Sequence, residues 1–242
     1  MIVHRLFIPP DRLVAGPRVK LTPEQAHHLL TVLRLQSGAE VEVFDGQGGR
    51  FSAFVSGDQL EIARALPRDP RRLDVVLVQA VAKGEKMDLV VQKATELGAA
   101  RIMPLAAERA VVRLEAGRGS TRADRWRRVA QEAARQCGRA DVPRVDAPSP
   151  WDDVFSLLRA EADRRALLLD PADDGLRLGD AARGVSRSLV AVGPEGGFSP
   201  AERQRAVENG FLPVTLGTRV LRTETAGLAA LAVVLHVNGE LG

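Results

Sequence analysis

The sequence predicts an α/β protein built on a parallel sheet and preceded by a separate, mostly β segment. Three observations carry this. The stretch "AEVEVFDGQGGRFSAFV" alternates apolar and polar residues on both sides of a Gly-rich turn, the pattern of a hairpin. "LPRDPRR", Leu66–Arg72, is charged and punctuated by proline, as a linker is. Beyond it the texture changes to short apolar runs without clean alternation, separated by helical patterns; such runs suit strands buried on both faces of a parallel sheet. The expected domains are therefore 1–70 and 73–242.

In the first segment a short helix is expected over "TPEQAHHLL", with Thr22 as N-cap and Pro23 at the first helical position, and "LEIARAL" reads as a further strand. In the second, "LDVVLVQAV", "ARIMPLAA", "RALLLD", "RSLVAV" and "LPVTLG" are the expected strands. Residues 85–97 place Met87, Val90, Val91, Ala94 and Leu97 on one helical face that ends at Gly98. Over 122–137 the apolar stripe is Trp126, Val129, Ala130, Ala133 and Cys137. Arg125, Arg128, Arg135 and Arg139 fall together opposite it. Another helix begins near Trp151. No internal repeat or low-complexity tract is visible.

The 242 residues are 45% hydrophobic but only 4% aromatic, without tyrosine, so the core must be mostly Leu, Val and Ala. The single cysteine, Cys137, excludes an intrachain disulfide, suggests a reducing compartment and is expected to be a buried thiol. No long apolar run lies in Met1–Pro10, and Ala226–Leu235 is far short of the roughly 20 residues that span a bilayer. The sequence thus reads as soluble and cytoplasmic. Charge is unevenly placed: from Arg101 to Arg144 eleven arginines face five acids, a net +6 within a total of +3. Such a patch serves a polyanion such as RNA, or a solvated helical face, and charge alone does not separate the two.

"VGPEGGFSPAE", Val192–Glu202, places a rigid loop with little side chain between a strand and a helix. Ligands of open α/β sheets sit beyond the carboxyl ends of strands. Gly193, Gly196 and Gly197 permit close backbone approach, Pro194 stiffens the loop, and Ser199-Pro200-Ala201-Glu202 is a capping box. Neither phosphate-binding glycine spacing is present, and Glu195 would repel a phosphate; a cationic or amine-bearing ligand fits better, although a tight turn with a cap would read the same way. A second strand ends at Gly217. Arg219, Arg222 and Glu224 follow within a few residues, ahead of a helix so apolar that it must be buried, in the core or against a subunit.

"GPEGGFSPAE" followed by "LGTRVLRTETA" resembles the RsmE family of the SPOUT methyltransferase superfamily. "EQAHHLLTVLRLQSGAEVEVFDGQGG", "QAVAKGEKMDLVVQKATELGAARIMPLAAERAVV" and "RWRRVAQEAARQCGRADVPRV" are similar to further segments of that family, in the same order. One departure is Cys137, where many members carry a small serine. The resemblance implies an S-adenosylmethionine-dependent enzyme that methylates N3 of one uridine in the decoding region of 16S rRNA in the small ribosomal subunit. It further implies a PUA-like β-barrel at the N-terminus, a catalytic sheet with a C-terminal trefoil knot, and a homodimer formed through the knot and the C-terminal helix.

By the same resemblance, Leu169, Gly193, Glu195, Gly196, Leu216, Gly217 and Leu221 hold the cofactor. Arg222 and Glu224 are the candidates for catalysis; a helix-terminal carboxylate and an ion pair would look alike. Arg109 and Arg139, together with Arg125 and Arg128, are the candidates for RNA. His27 and His28 match the family but point to different sides of a helix, so no metal site is expected. An RNA-binding protein with a decayed cofactor site is opposed by the intact Gly-rich loop. A ribose 2′-O-methyltransferase is opposed by "KGEKMDLVVQKATELG".

Overall fold

The computed structural model describes residues 4–14, 16–68, 73–110, 118–170 and 175–242. Its contacts divide the chain into one unit of residues 1–70 with 131–142, and another of 71–130 with 143–242. Residues 69–72 of the expected linker, and Arg113 and Glu115 of the basic segment, lie outside the described residues.

The first unit contains β1 (Arg5–Phe7), α1 (Pro10–Leu13), β2 (Arg18–Lys20), α2 (Pro23–Ala26), β3 (Glu40–Phe44), β4 (Arg50–Ser56) and β5 (Gln59–Leu66). Thr22 caps α2, and Gln25 returns the bond in a capping box. The helix then widens into a π-helical turn over His27–Val32. The strands form one sheet in the order β1-β3-β4-β5-β2, with β1 parallel to β3 and the other ladders antiparallel. Val41, Val43, Ala53, Val55 and Leu60 fill its core with Leu6, Ile8 and Leu29.

The alternation that marks β3 leaves only Glu40 of its polar positions exposed. Glu42 is buried beneath Arg5 and Arg50, and Phe44 packs with Ala134 and Ala140. Arg5 Nε donates to Glu42 Oε1 at 2.9 Å, and its Nη1 donates to the carbonyls of Ala134 and Arg139.

The second unit contains β6 (Asp74–Ala80), α3 (Lys86–Leu97), β7 (Arg101–Leu105), α4 (Arg118–Cys137, shared with the first unit), β8 (Arg144–Val145), α5 (Trp151–Ala160), β9 (Arg165–Leu169), α6 (Leu178–Ala182), β10 (Arg187–Val192), α7 (Pro200–Glu208), β11 (Leu212–Val214) and α8 (Thr223–Val237). The sheet is parallel throughout, ordered β11-β9-β10-β6-β7-β8. Alternate residues of β6 enter different layers. Val76, Val78 and Ala80 join Trp151, Phe155 and Ala206 in the core over α5 and α7. On the other side α8 packs on β6, β10, α3 and α6. This burial of both faces is what removed alternation from the sequence.

Three expectations are corrected. Cys137 is exposed, because it is the last residue of α4 and Gly138, at φ 89°, turns the chain away before neighbours can cover it. For the same reason Arg139 is not on the basic stripe: it follows the helix and pairs with Asp141 at 2.7 Å. Leu97 is only half-buried. Thr95 takes its place inside α3, its hydroxyl donating to the Val91 carbonyl at 2.7 Å.

Candidate active site

The site is built where β9, β10 and β11 end. Their carboxyl ends and the loops that follow enclose a cavity of about 490 Å³. The capping box after β10 forms as the sequence requires, with Ser199 Oγ accepting from the Glu202 N–H and Glu202 Oε2 from the Ser199 N–H. Glu202 does more than cap. Its carboxylate is buried, and Oε1 accepts from the Glu108 N–H at 3.0 Å and from Trp151 Nε1 at 3.1 Å. Trp151 in turn packs on Phe198 at 5.2 Å, so the Gly-rich loop is anchored into the aromatic core. Gly197, at φ 66°, makes the turn, and a side chain at Gly193 would press to 3.2 Å from the Phe198 nitrogen.

Leu169, Gly193, Glu195, Gly196, Leu216, Gly217, Leu221 and Arg222 all line the cavity. Segments far apart in sequence are thus gathered at one place. Much of the wall is backbone and apolar side chain, and its charged members include Glu195, Arg203, Arg219 and Arg222. Arg203 is paired with Asp170 at the end of β9. Arg109 lies against the same loop, its Nη1 donating to the Gly196 carbonyl at 3.1 Å.

Glu224 lies in the first turn of α8, where its carboxylate faces Lys86 Nζ at 3.3 Å as an ion pair without hydrogen-bond geometry. Lys86 also reaches Glu195 Oε1 at 3.5 Å, so one ammonium bridges the Gly-rich loop and the start of α8. Burial raises the pKa of Glu224, but its own backbone N–H, the Lys86 ammonium and the Arg222 guanidinium outweigh it and hold the carboxyl below the ordinary glutamate value.

Arg125 and Arg128 are exposed on α4. Arg125 is paired with Asp88 of α3, Arg127 with Asp124 and Arg135 with Glu132. Arg128 has no ion-pair partner among the described residues. Arg139, paired and in the first unit, is not brought together with these. Among the described residues, no group of three His, Cys, Asp or Glu side chains could hold a metal, and no helix is long and apolar enough to cross a membrane.

Sequence reasoning missed Lys86, Gln79 and Thr223. Lys86 stood inside "KGEKMD", and its two partners are identifiable only in three dimensions. Gln79 did leave a signal, as a lone amide in the apolar run of β6, and it is wholly buried. Its Nε2 donates to Thr223 Oγ1 at 2.8 Å, and Thr223 Oγ1 donates to the Gly193 carbonyl at 2.6 Å.

Comparison with known proteins agrees with this geometry. Residues 69–235 match the model of an RNA methyltransferase domain, and residues 21–63 that of an RNA methyltransferase PUA domain. Ribosomal RNA small subunit methyltransferase E of Synechocystis sp. is 32% identical over 96% of this chain and 77% of its own length. The enzyme of the same name from Bacillus subtilis is 29% identical over 97% and 96%. The crystal structure of ribosomal RNA small subunit methyltransferase E from Neisseria gonorrhoeae bound to S-adenosylmethionine superposes with a TM-score of 0.86, at 32% identity, covering 98% of both chains.

Proposed function

The chain belongs to the ribosomal RNA small subunit methyltransferase E family, and from that membership we propose that it methylates N3 of one uridine in the decoding region of 16S rRNA, with S-adenosylmethionine as donor. The observation that carries the reading is the cavity at the ends of three parallel strands, with glycine backbone as one wall and without phosphate-binding spacing. Such a wall suits a cofactor that carries a sulfonium and an amine but no phosphate. Leu169, Gly193, Glu195, Gly196, Leu216, Gly217 and Leu221 would hold it. S-adenosylmethionine supplies an electrophilic methyl group when bound.

The protein's own part concerns the uracil. N3 carries a proton and is weakly acidic, so transfer requires its loss, which leaves negative charge on O2 and O4. The Arg222 guanidinium, at the cavity, is the group to stabilise that charge. Glu224 is a poor proton acceptor while Lys86 and Arg222 hold its pKa down, and in this reading it orients those two cations as a carboxylate. Arg109, Arg125, Arg128 and Arg139 would take RNA phosphates in two groups, one beside the Gly-rich loop and α4, the other in the PUA-like unit.

The same reading includes domains over 1–70 and 73–242, a C-terminal knot, a homodimer and a cytoplasmic location. The knot is supported by the path after β11. That strand lies at the sheet edge, Thr215 bonds to both Leu176 and Leu178, and the chain then returns to pack α8 on β10 and β6. The dimer is supported by the half-buried Leu228, Ala229, Ala232 and Val233 on α8, which stand beside its fully buried stripe. The deciding measurement is mass spectrometry of 16S rRNA nucleosides from a deletion strain with and without this chain. Return of 3-methyluridine only with the chain is expected; an unchanged nucleoside profile would end the proposal.

A further inference from the structure

The cavity does not account for the buried amide behind it. Gln79 is fully enclosed near the end of β6, where an apolar residue would continue the strand. Its orientation is fixed by chemistry. The Ala80 carbonyl, 3.4 Å from one terminal atom, only accepts, so that atom is Nε2. Nε2 therefore also donates to Thr223 Oγ1, and the single hydroxyl proton of Thr223 is directed to the Gly193 carbonyl. On the other side Oε1 has no hydrogen-bond partner and faces Gly227, where a Cβ would come within 2.4 Å of it. An unpaired buried carbonyl costs stability and returns none, and departures of this kind cluster at functional sites.

We propose that Gln79 and Thr223 are positioning residues of the cofactor site: through a one-way chain of two hydrogen bonds they fix the Gly193 carbonyl, and with it the 193–197 loop, in the form that receives the cofactor. Gly227 belongs to the same device, because only glycine leaves Oε1 the room it occupies. The chain joins β6, the first residue of α8 and the end of β10, three elements that no other side-chain hydrogen bond on the site ties together among the described residues. It sets the loop without itself lining the whole cavity; of the two, only Thr223 reaches the wall. The proposal rests on the reading that this cavity holds S-adenosylmethionine.

The test is calorimetric titration of the full-length protein with S-adenosylmethionine, alongside thermal unfolding. Thr223→Val, which keeps shape and removes the hydroxyl, is expected to weaken binding about tenfold or more, and Thr223→Ser to bind within about twofold of the parent. Gln79→Met removes both the donor and the orphaned carbonyl. It should weaken binding several-fold while leaving the unfolding midpoint unchanged or higher, an opposition of sign that a merely structural amide would not produce. Unaltered binding in Thr223→Val, or equal losses in Thr223→Val and Thr223→Ser, overturns the proposal. A fall in both stability and binding in Gln79→Met does so as well. Leu221→Trp, which fills the cavity, separates the premise: if it binds as the parent does, the cofactor lies elsewhere and the reading of the cavity itself has failed.

Discussion

Glu42 in the first unit and Glu224 in the second are both carboxylates held below the ordinary glutamate value, and they are built in opposite ways. Burial raises the pKa of each, and neighbouring cations reverse it. Around Glu42 both carboxylate oxygens accept hydrogen bonds, although Arg5 Nη2, 2.8 Å away, makes an ion pair without one. Arg5 and Arg50 donate to both of its oxygens, and Arg5 is itself fixed by two backbone carbonyls and lies 4.9 Å over the Phe44 ring. Around Glu224 the cluster is left open. Oε2 has an ion-pair partner but no hydrogen bond, and that partner is shared with Glu195 on a loop. A closed cluster gives stability and one conformation; an open one leaves capacity to respond to a ligand.

Four experiments probe these carboxylates and the basic helix beside them. The largest effect is expected at the open cluster. Arg222→Ala should lower single-turnover methyl transfer by about a hundredfold or more, the cost of losing one donor to a developing anion, while cofactor titration is unchanged. Higher pH should restore part of the rate as more uridine ionises unaided, and Arg222→Lys should recover little. Near-parental turnover would remove Arg222 from the chemistry.

At the closed cluster the loss should be of stability alone. Glu42→Gln leaves two guanidiniums partly unpaired and should cost about 3 kcal/mol in denaturant unfolding, with cofactor affinity intact. The parent protein carries the matching pH dependence. Because the folded pKa of Glu42 is depressed, its contribution is complete above the ordinary glutamate value and is lost as pH falls through the lowered folded value. Glu42→Gln should flatten that acid limb, and an identical limb in both proteins would assign it to other carboxylates.

Lys86→Met tests the shared partner. Without the ammonium the Glu224 pKa rises, so the acid limb of the rate profile should move to higher pH, with the loss greatest at the acid end; Lys86→Arg should keep the limb in place. An unmoved limb in Lys86→Met would mean that Glu224 does not need to be ionised for turnover.

The smallest change concerns α4. Arg128→Glu should weaken RNA binding at low salt and lower the salt dependence by about one phosphate contact. Arg125→Glu should do less, because Asp88 already takes up that charge. If neither changes affinity at low salt, the stripe is a solvated face.

How far the sequence discloses such features depends on their range. The parallel strands are legible because burial on both faces writes continuous apolar runs. The two-residue β8, the five-residue α6 and the four-residue α1 are too short to carry a period. The capping boxes at Thr22 and Ser199 are local and legible. Gly98 is legible as a helix end and Gly138 is not, because arginines continue the apparent period past Gly138, and the expectations for Arg139 and Cys137 fail for that reason. The lining residues followed from the family motifs. Lys86 to Glu195 spans 109 residues and Gln79 to Thr223 spans 144, and no local pattern announces either.

The buried carboxylate of Glu202 has a further consequence, in time rather than in space. It holds the backbone amides of Ser199 and Glu108 and the indole of Trp151 at once, so the three share one acceptor and are coupled through it. Hydrogen exchange at those positions should therefore run at one common slow rate, set by a concerted opening of α7, the end of β7 and the start of α5. A loop hinged on such a unit enters each catalytic cycle already ordered, and little of the entropy of shaping it has to be met when the cofactor arrives.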